Sequence, residues 1–241
     1  MPDQVQPVPD YVHQAMAELA KAEALKHAAE QSVFEAQAAE IITRHRKGEL
    51  DREREEYKYA QEQADDEHNR VYRLQGGIDS ASVKTTINKL WTWSRQDPGC
   101  DIDLVFTSPG GSVIDGMALY DTIIELRSLG HHIRTVTRGY AASMAGILLQ
   151  AGSERQMGAE AWLLIHEASF GAVGSYGDIE DIYDWVTRIQ DRILDIFAER
   201  SAACNPEKPL SKKQIKDRWH RKDWWLSSQQ ALEHGFIDAI Q

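Results

Sequence analysis

The 241 residues (27.3 kDa) carry 27 Lys+Arg against 38 Asp+Glu, a formal net charge of -11 and a pI near 5.3. That balance argues against duplex nucleic acid as the main partner, because binding it needs a basic face. The length allows one or two domains, and 42% hydrophobic residues suffice for a sizeable core, which excludes disorder throughout. The longest mainly apolar stretch, Gly139 to Gly152, is far short of the roughly 20 residues that span a bilayer. The start Met1-Pro2-Asp3-Gln4 lacks the basic, then apolar, plan of a signal peptide. A cytoplasmic protein without a membrane partner is the expectation. Cys100 and Cys204 lie far apart with no Cys-x-x-Cys, which favours reduced thiols over a disulfide framework or zinc knuckle.

Charge is unevenly spread. Residues 1–69 hold 8 Lys+Arg and 16 Asp+Glu, net -8, leaving net -3 for residues 70–241. All seven tryptophans and fifteen of the sixteen glycines follow residue 69, so composition changes at the same boundary. The expectation is a charged, mainly helical arm over 1–69 and a globular domain over 70–241. After a Pro-rich leader (Pro2, Pro7, Pro9), Asp10 can cap a helix rich in Ala, Glu, Gln and Lys. Val12, Leu19, Lys26 and Val33 alternate with Ala15, Ala22, Ala29 and Ala36 at three- and four-residue steps. This is coiled-coil spacing, but alanines bury little area. From Glu49 to Arg70 nearly every residue is charged or polar, with Glu53, Glu56 and Lys58 placed to pair along a solvated helix. A solvated arm and a partner-binding or self-associating helix both fit.

Strands and helices alternate from residue 70. Val71 to Leu74 reads as a strand ending at Gly76-Gly77, and Ala81 to Ser94 has helical spacing. Asp101 to Phe106 is a strand, Ser108-Pro109-Gly110-Gly111-Ser112 a loop, and Met117 to Leu129 an amphipathic helix. Next come a strand at Ile133 to Thr137, a Gly/Ala/Ser junction at Gly139 to Gly146, a helix to Ala151 and a strand at Ala161 to Ile165. A long helix covers Asp178 to Arg200, and Gly235 stops a helix before a final strand. This order implies an α/β fold of parallel strands with crossover helices.

Three features stand at strand ends, where open α/β sheets place ligands. Ser143, within Gly139-Tyr140-Ala141-Ala142-Ser143-Met144-Ala145-Gly146, sits at a strand-to-helix junction among small residues. Such a hydroxyl is either an exposed nucleophile with helix amides behind it or an ordinary N-cap. His166 follows the strand Ala161 to Ile165, as a general base or as a satisfied core histidine. Ser108-Pro109-Gly110-Gly111 can turn amides inward, or be only a turn. No His-Glu-x-x-His pattern occurs, and neither metal nor cofactor is expected.

Taken together, five ordered segments resemble the ClpP family of serine peptidases: Gly76-Gly77-Ile78-Asp79; Ser108 to Val113 with Gly116 to Thr122; Ala141 to Ala145; Leu164-Ile165-His166-Glu167; and Glu233 to Asp238. The resemblance covers roughly residues 70–240. It implies the ClpP/crotonase fold, a spiral of βαβ units, and a serine endopeptidase acting on peptide or protein substrates with Ser143 as nucleophile and His166 as base. Lys222-Asp223-Trp224-Trp225-Leu226-Ser227 resembles the family segment that carries the third triad member, which nominates Asp223, with Asp217 as runner-up. The oxyanion hole would be the amides of Gly110 or Gly111 and Met144. Phe170 to Gly177 and Asp178 to Arg200 resemble the family's handle strand and handle helix, through which relatives assemble heptameric rings and double rings. In relatives an AAA+ unfoldase meets a short N-terminal loop, where this chain has its arm. The contact between rings, in relatives an Arg between two acids, reads Arg221-Lys222-Asp223 here. Phage head-maturation proteases of the same fold, which an arm could tether to a capsid, and an inactive ring scaffold are the alternatives.

Overall fold

The computed structural model describes residues 10–241; the Pro-rich leader and the reading of the first four residues lie outside the described residues. The chain divides into two compact units at Gln63/Ala64. The first is one helix, α1 (Asp10–Ala64), 55 residues long and without a buried residue. Its support is local. Arg44 pairs with Glu40 at 3.2 Å, Lys58 with Glu62 at 3.9 Å, and Gln31 donates to Glu35 at 3.1 Å. Each such pair contributes about 0.2–0.5 kcal/mol.

The second unit begins a few residues before the compositional boundary at 69. Glu67 accepts hydrogen bonds from Trp93 Nε1 and Lys89 Nζ, both at 2.9 Å, and Asp66 pairs with Arg73 at 2.7 Å. These contacts tie residues 65–69 to the sheet domain. The elements run β1 (Val71–Gln75), α2 (Ser80–Gln96), β2 (Ile102–Ser108), α3 (Val113–Ser128), β3 (Ile133–Ala142), α4 (Met144–Leu149), β4 (Glu154–Met157), β5 (Trp162–Ile165), α5 (Tyr176–Cys204), α6 (Lys212–Trp219), β6 (Trp224–Ser227), α7 (Ser228–Glu233) and β7 (Ala239–Ile240). The seven strands form one sheet, in which β1, β2, β3, β4 and β7 lie side by side in parallel. β5 joins the sheet parallel to β3, and β6 is antiparallel to β5. This mostly parallel α/β sheet, preceded by a helical N-terminal region, is the kind of architecture that the sequence resemblance implies. On β2 Ile102, Leu104, Val105, Phe106 and Ser108 are all buried, as expected of a parallel strand covered on both faces.

One bend positions the site. Arg134 to Thr137 of β3 pair with β4, whereas Tyr140 to Ala142 pair with β5. Between the two lies Gly139 at φ +72°, a left-handed conformation that costs glycine little. The strand therefore runs on to Ala142, through the first half of what reads in sequence as a Gly/Ala/Ser junction. Of Phe170 to Gly177, which resemble a handle strand in sequence, residues 170–175 form no strand, and Tyr176 and Gly177 already belong to α5. A strand needs a partner ladder, and Phe170 to Ser175 pair with nothing in the described chain.

Candidate functional site

Ser143 occupies the sharp turn between β3 and α4 with φ 54° and ψ −123°, a strained conformation for a non-glycine residue. It stands at the N-cap position, yet its side chain makes no capping bond. Asp79, Ser112, Ser175, Ser211 and Ser227, at the corresponding positions of α2, α3, α5, α6 and α7, all cap their helices. The strain at Ser143 thus leaves its hydroxyl free of the helix it precedes, the arrangement of a nucleophile elbow. Its backbone N–H donates to the Leu164 carbonyl at 3.0 Å, which ties the turn to β5 two residues before His166.

His166 and Ser143 line one small cavity with Val113, Met144, Ile165 and Phe197. The His166 Nδ1 atom lies 3.7 Å from Asp223 Oδ1, with the histidine side chain 27% exposed and the aspartate 60%. Strand register explains the meeting. β5 and β6 pair antiparallel with Ile165 opposite Trp224, and one further step sets His166 opposite Asp223. Residues directly opposite present their side chains on one face. Asp217 lies six residues earlier, on α6, outside ion-pair distance of His166. At 3.7 Å the pair is a close approach rather than a made hydrogen bond; catalytic hydrogen bonds commonly tighten only around substrate.

The glycine loop abuts the same turn. A Cβ on Gly110 (φ +91°) would lie 2.6 Å from the Ala142 carbonyl oxygen and 2.9 Å from the Met144 nitrogen, so only glycine fits. The Gly110 N–H is already used, donating to Ser108 Oγ at 3.1 Å. Gly111 is held from the other side, where the Ile78 carbonyl accepts from the Ser112 N–H at 2.7 Å and the Gly110 carbonyl accepts from the Ile78 N–H at 2.9 Å. Among the described residues the amides of Gly111 and Met144 donate to nothing. A cleft of about 210 Å³ continues from Gly111 past Ile114, Ser169 and Phe170 to Trp185 and Ile189.

Glu167 closes the segment that begins at Leu164, but no local pattern in the sequence marks its partner His220. Glu167, next to His166, accepts from His220 Nδ1 at 2.8 Å and from the Arg221 N–H at 3.2 Å. The His220 hydrogen bond, aided by the Arg221 amide, holds the Glu167 carboxyl below the usual carboxylate range.

A strained serine at a strand-to-helix turn, a histidine at the end of the neighbouring strand and a glycine loop packed against the serine turn mark a hydrolase-type site in an α/β sheet. The model of the Clp protease family matches residues 53–241, and the chain belongs to that family of peptidases. It is similar to the ATP-dependent Clp protease proteolytic subunit of Bacteroides fragilis NCTC 9343, 30% identical over 176 residues that span 71% of this chain and 79% of the relative. The subunit of the same name from Bacteroides thetaiotaomicron VPI-5482 is also 30% identical over 176 residues, spanning 71% and 74%. The match to the family model starts inside α1, so most of that helix lies outside it.

Proposed function

We propose that the protein is a serine endopeptidase in which Ser143, His166 and Asp223 act as a triad. The observation that carries this reading is the strained, uncapped Ser143 turn sharing a cavity with His166. With Asp223 on the Nδ1 side, the imidazole keeps its proton there and presents Nε2 to the serine. Nε2 accepts the Ser143 proton as Oγ bonds to the peptide carbonyl carbon. The protonated imidazole then gives that proton to the amine as the C–N bond breaks, and water releases the acyl group by the same route. Gly111 and Met144 N–H groups, unspent in the fold, receive the oxyanion; each donor in such a site is worth roughly 2.7–4 kcal/mol. Gly110 acts by leaving room.

The cleft walled by Ile114, Phe170, Trp185 and Ile189 suits an apolar substrate side chain. The exposed run Phe170, Val173, Tyr176, Ile179 and Tyr183 supports homo-oligomeric, ring-type assembly, since a large exposed apolar patch marks an interface. Native mass measurement of the particle tests the ring. A fluorophosphonate probe tests the chemistry: wild type labels and Ser143→Ala does not. Failure of wild type to label beside a known serine hydrolase sinks the reading.

A further inference from the structure

The proposed His166–Asp223 pair lies just past the last rung of the β5–β6 ladder, where the two strands would otherwise separate. Beyond it, one carboxylate bridges the gap. The oxygens of Glu167 take the His220 imidazole at 2.8 Å and the Arg221 backbone N–H at 3.2 Å. Arg221 has φ 55°, and the Lys222 N–H returns to the Trp219 carbonyl at 3.1 Å, so this tight turn feeds directly into Asp223. Trp219, fully buried, anchors the turn's other end. Glu167 borders a different cavity from His166, beside Phe170, Tyr183 and His220, so it does not touch the reacting groups.

We propose that Glu167 is a positioning residue which, through His220 and the Arg221 amide, holds Asp223 against His166. This rests on the reading of Ser143, His166 and Asp223 as a triad. The pair is bracketed, with the Ile165–Trp224 rung on one side and the Glu167 clamp on the other. Asp223 is mostly exposed, so burial does not hold it in place, and the clamp supplies what packing does not. The clamp lies wholly within one chain, so it orients the acid without a neighbouring subunit.

The test is the second-order rate of fluorophosphonate labelling at Ser143 in the full-length protein. Glu167→Ala and His220→Ala are each expected to slow labelling tenfold to a hundredfold, the scale of a misplacement near 1 Å. His220→Asn keeps an N–H donor on the atom bonded to Cγ, as in Nδ1, and is expected to stay within about threefold of wild type. In an Asp223→Asn background, Glu167→Ala should slow labelling no further, because the clamp acts only through that aspartate. A purely structural role predicts an additional loss there. The proposal is overturned by wild-type rates in both alanine variants, by equal slowing in the Asp223→Asn background, or by His220→Asn behaving like His220→Ala. Should Glu167→Ala fail to fold, the His220 pair decides, since it leaves the carboxylate bound to the Arg221 amide. Labelling of wild type with indifferent clamp variants removes the clamp and keeps the triad; no labelling of wild type removes both.

Discussion

The two units of this chain are ordered by opposite means. α1 runs 55 residues, about 80 Å at 1.5 Å per residue, and buries nothing, so only backbone hydrogen bonds, high-propensity residues and pairs such as Glu40–Arg44 favour it. The sheet unit draws on burial: Phe106, Leu119, Ile123, Leu126 and Trp219 are all fully enclosed, each worth about 1.5–3 kcal/mol. Local order suffices for a helix, whereas a strained serine turn needs surroundings that over-determine it. Chemistry is accordingly expected from the second unit, and the first is free to serve a partner.

The sharpest way to break this contrast is Ser143→Ala, for which peptide hydrolysis should fall by roughly 10⁶, read in a turnover assay. Next comes Asp223→Asn, expected to cost about 10⁴ in turnover while Asp217→Asn leaves it unchanged; the reverse would move the acid to α6.

A stability effect follows in the sheet unit alone. Arg155 is buried and donates from Nε to Asp238 at 2.9 Å, so Asp238→Asn strands a cation and should cost about 3 kcal/mol in denaturant melts. Burial raises the Asp238 carboxyl pKa, but Arg155 outweighs it and the carboxyl is held below its ordinary value. Its stabilisation is therefore complete above the unfolded carboxylate pKa and is lost as pH falls through the lowered one. Wild-type melting should drop more steeply than that of Asp238→Asn as pH falls below the unfolded carboxylate pKa. Comparable in size but confined to the arm, Ala29→Pro costs about 3 kcal/mol locally. Circular dichroism should show lost helix at unchanged Ser143 labelling, and a parallel loss of labelling would end the separation of roles. The least effect is Glu40→Ala, a few tenths of a kcal/mol of helicity.

Much of this was legible from residue order. Small residues around Ser143, a histidine after an apolar run and paired glycines are local patterns, and they lie at the turn and strand ends where sheet topology puts ligands. β4 was not legible. Glu154-Arg155-Gln156-Met157 looks too polar for an inner strand, and only the approach of Asp238, 83 residues later, makes a buried Arg155 tolerable. Asp223 and Asp217 could not be separated without the β5–β6 register. The glycine pair could not be divided either, until Ser108 Oγ was found to hold the Gly110 amide and leave that of Gly111. The segment Phe170 to Gly177 carried a strand-like resemblance that the single chain does not realise, because strand formation is a property of pairs.

Residue order settles the helical arm, the alternation of strands and helices and the family, since propensity, periodicity and motifs act over a few residues at a time. Folding in three dimensions settles which aspartate faces His166, which amides remain unspent and how Glu167 reaches His220 and Arg221. Each of these depends on the register and bend of strands distant in the chain, and no local pattern encodes that geometry.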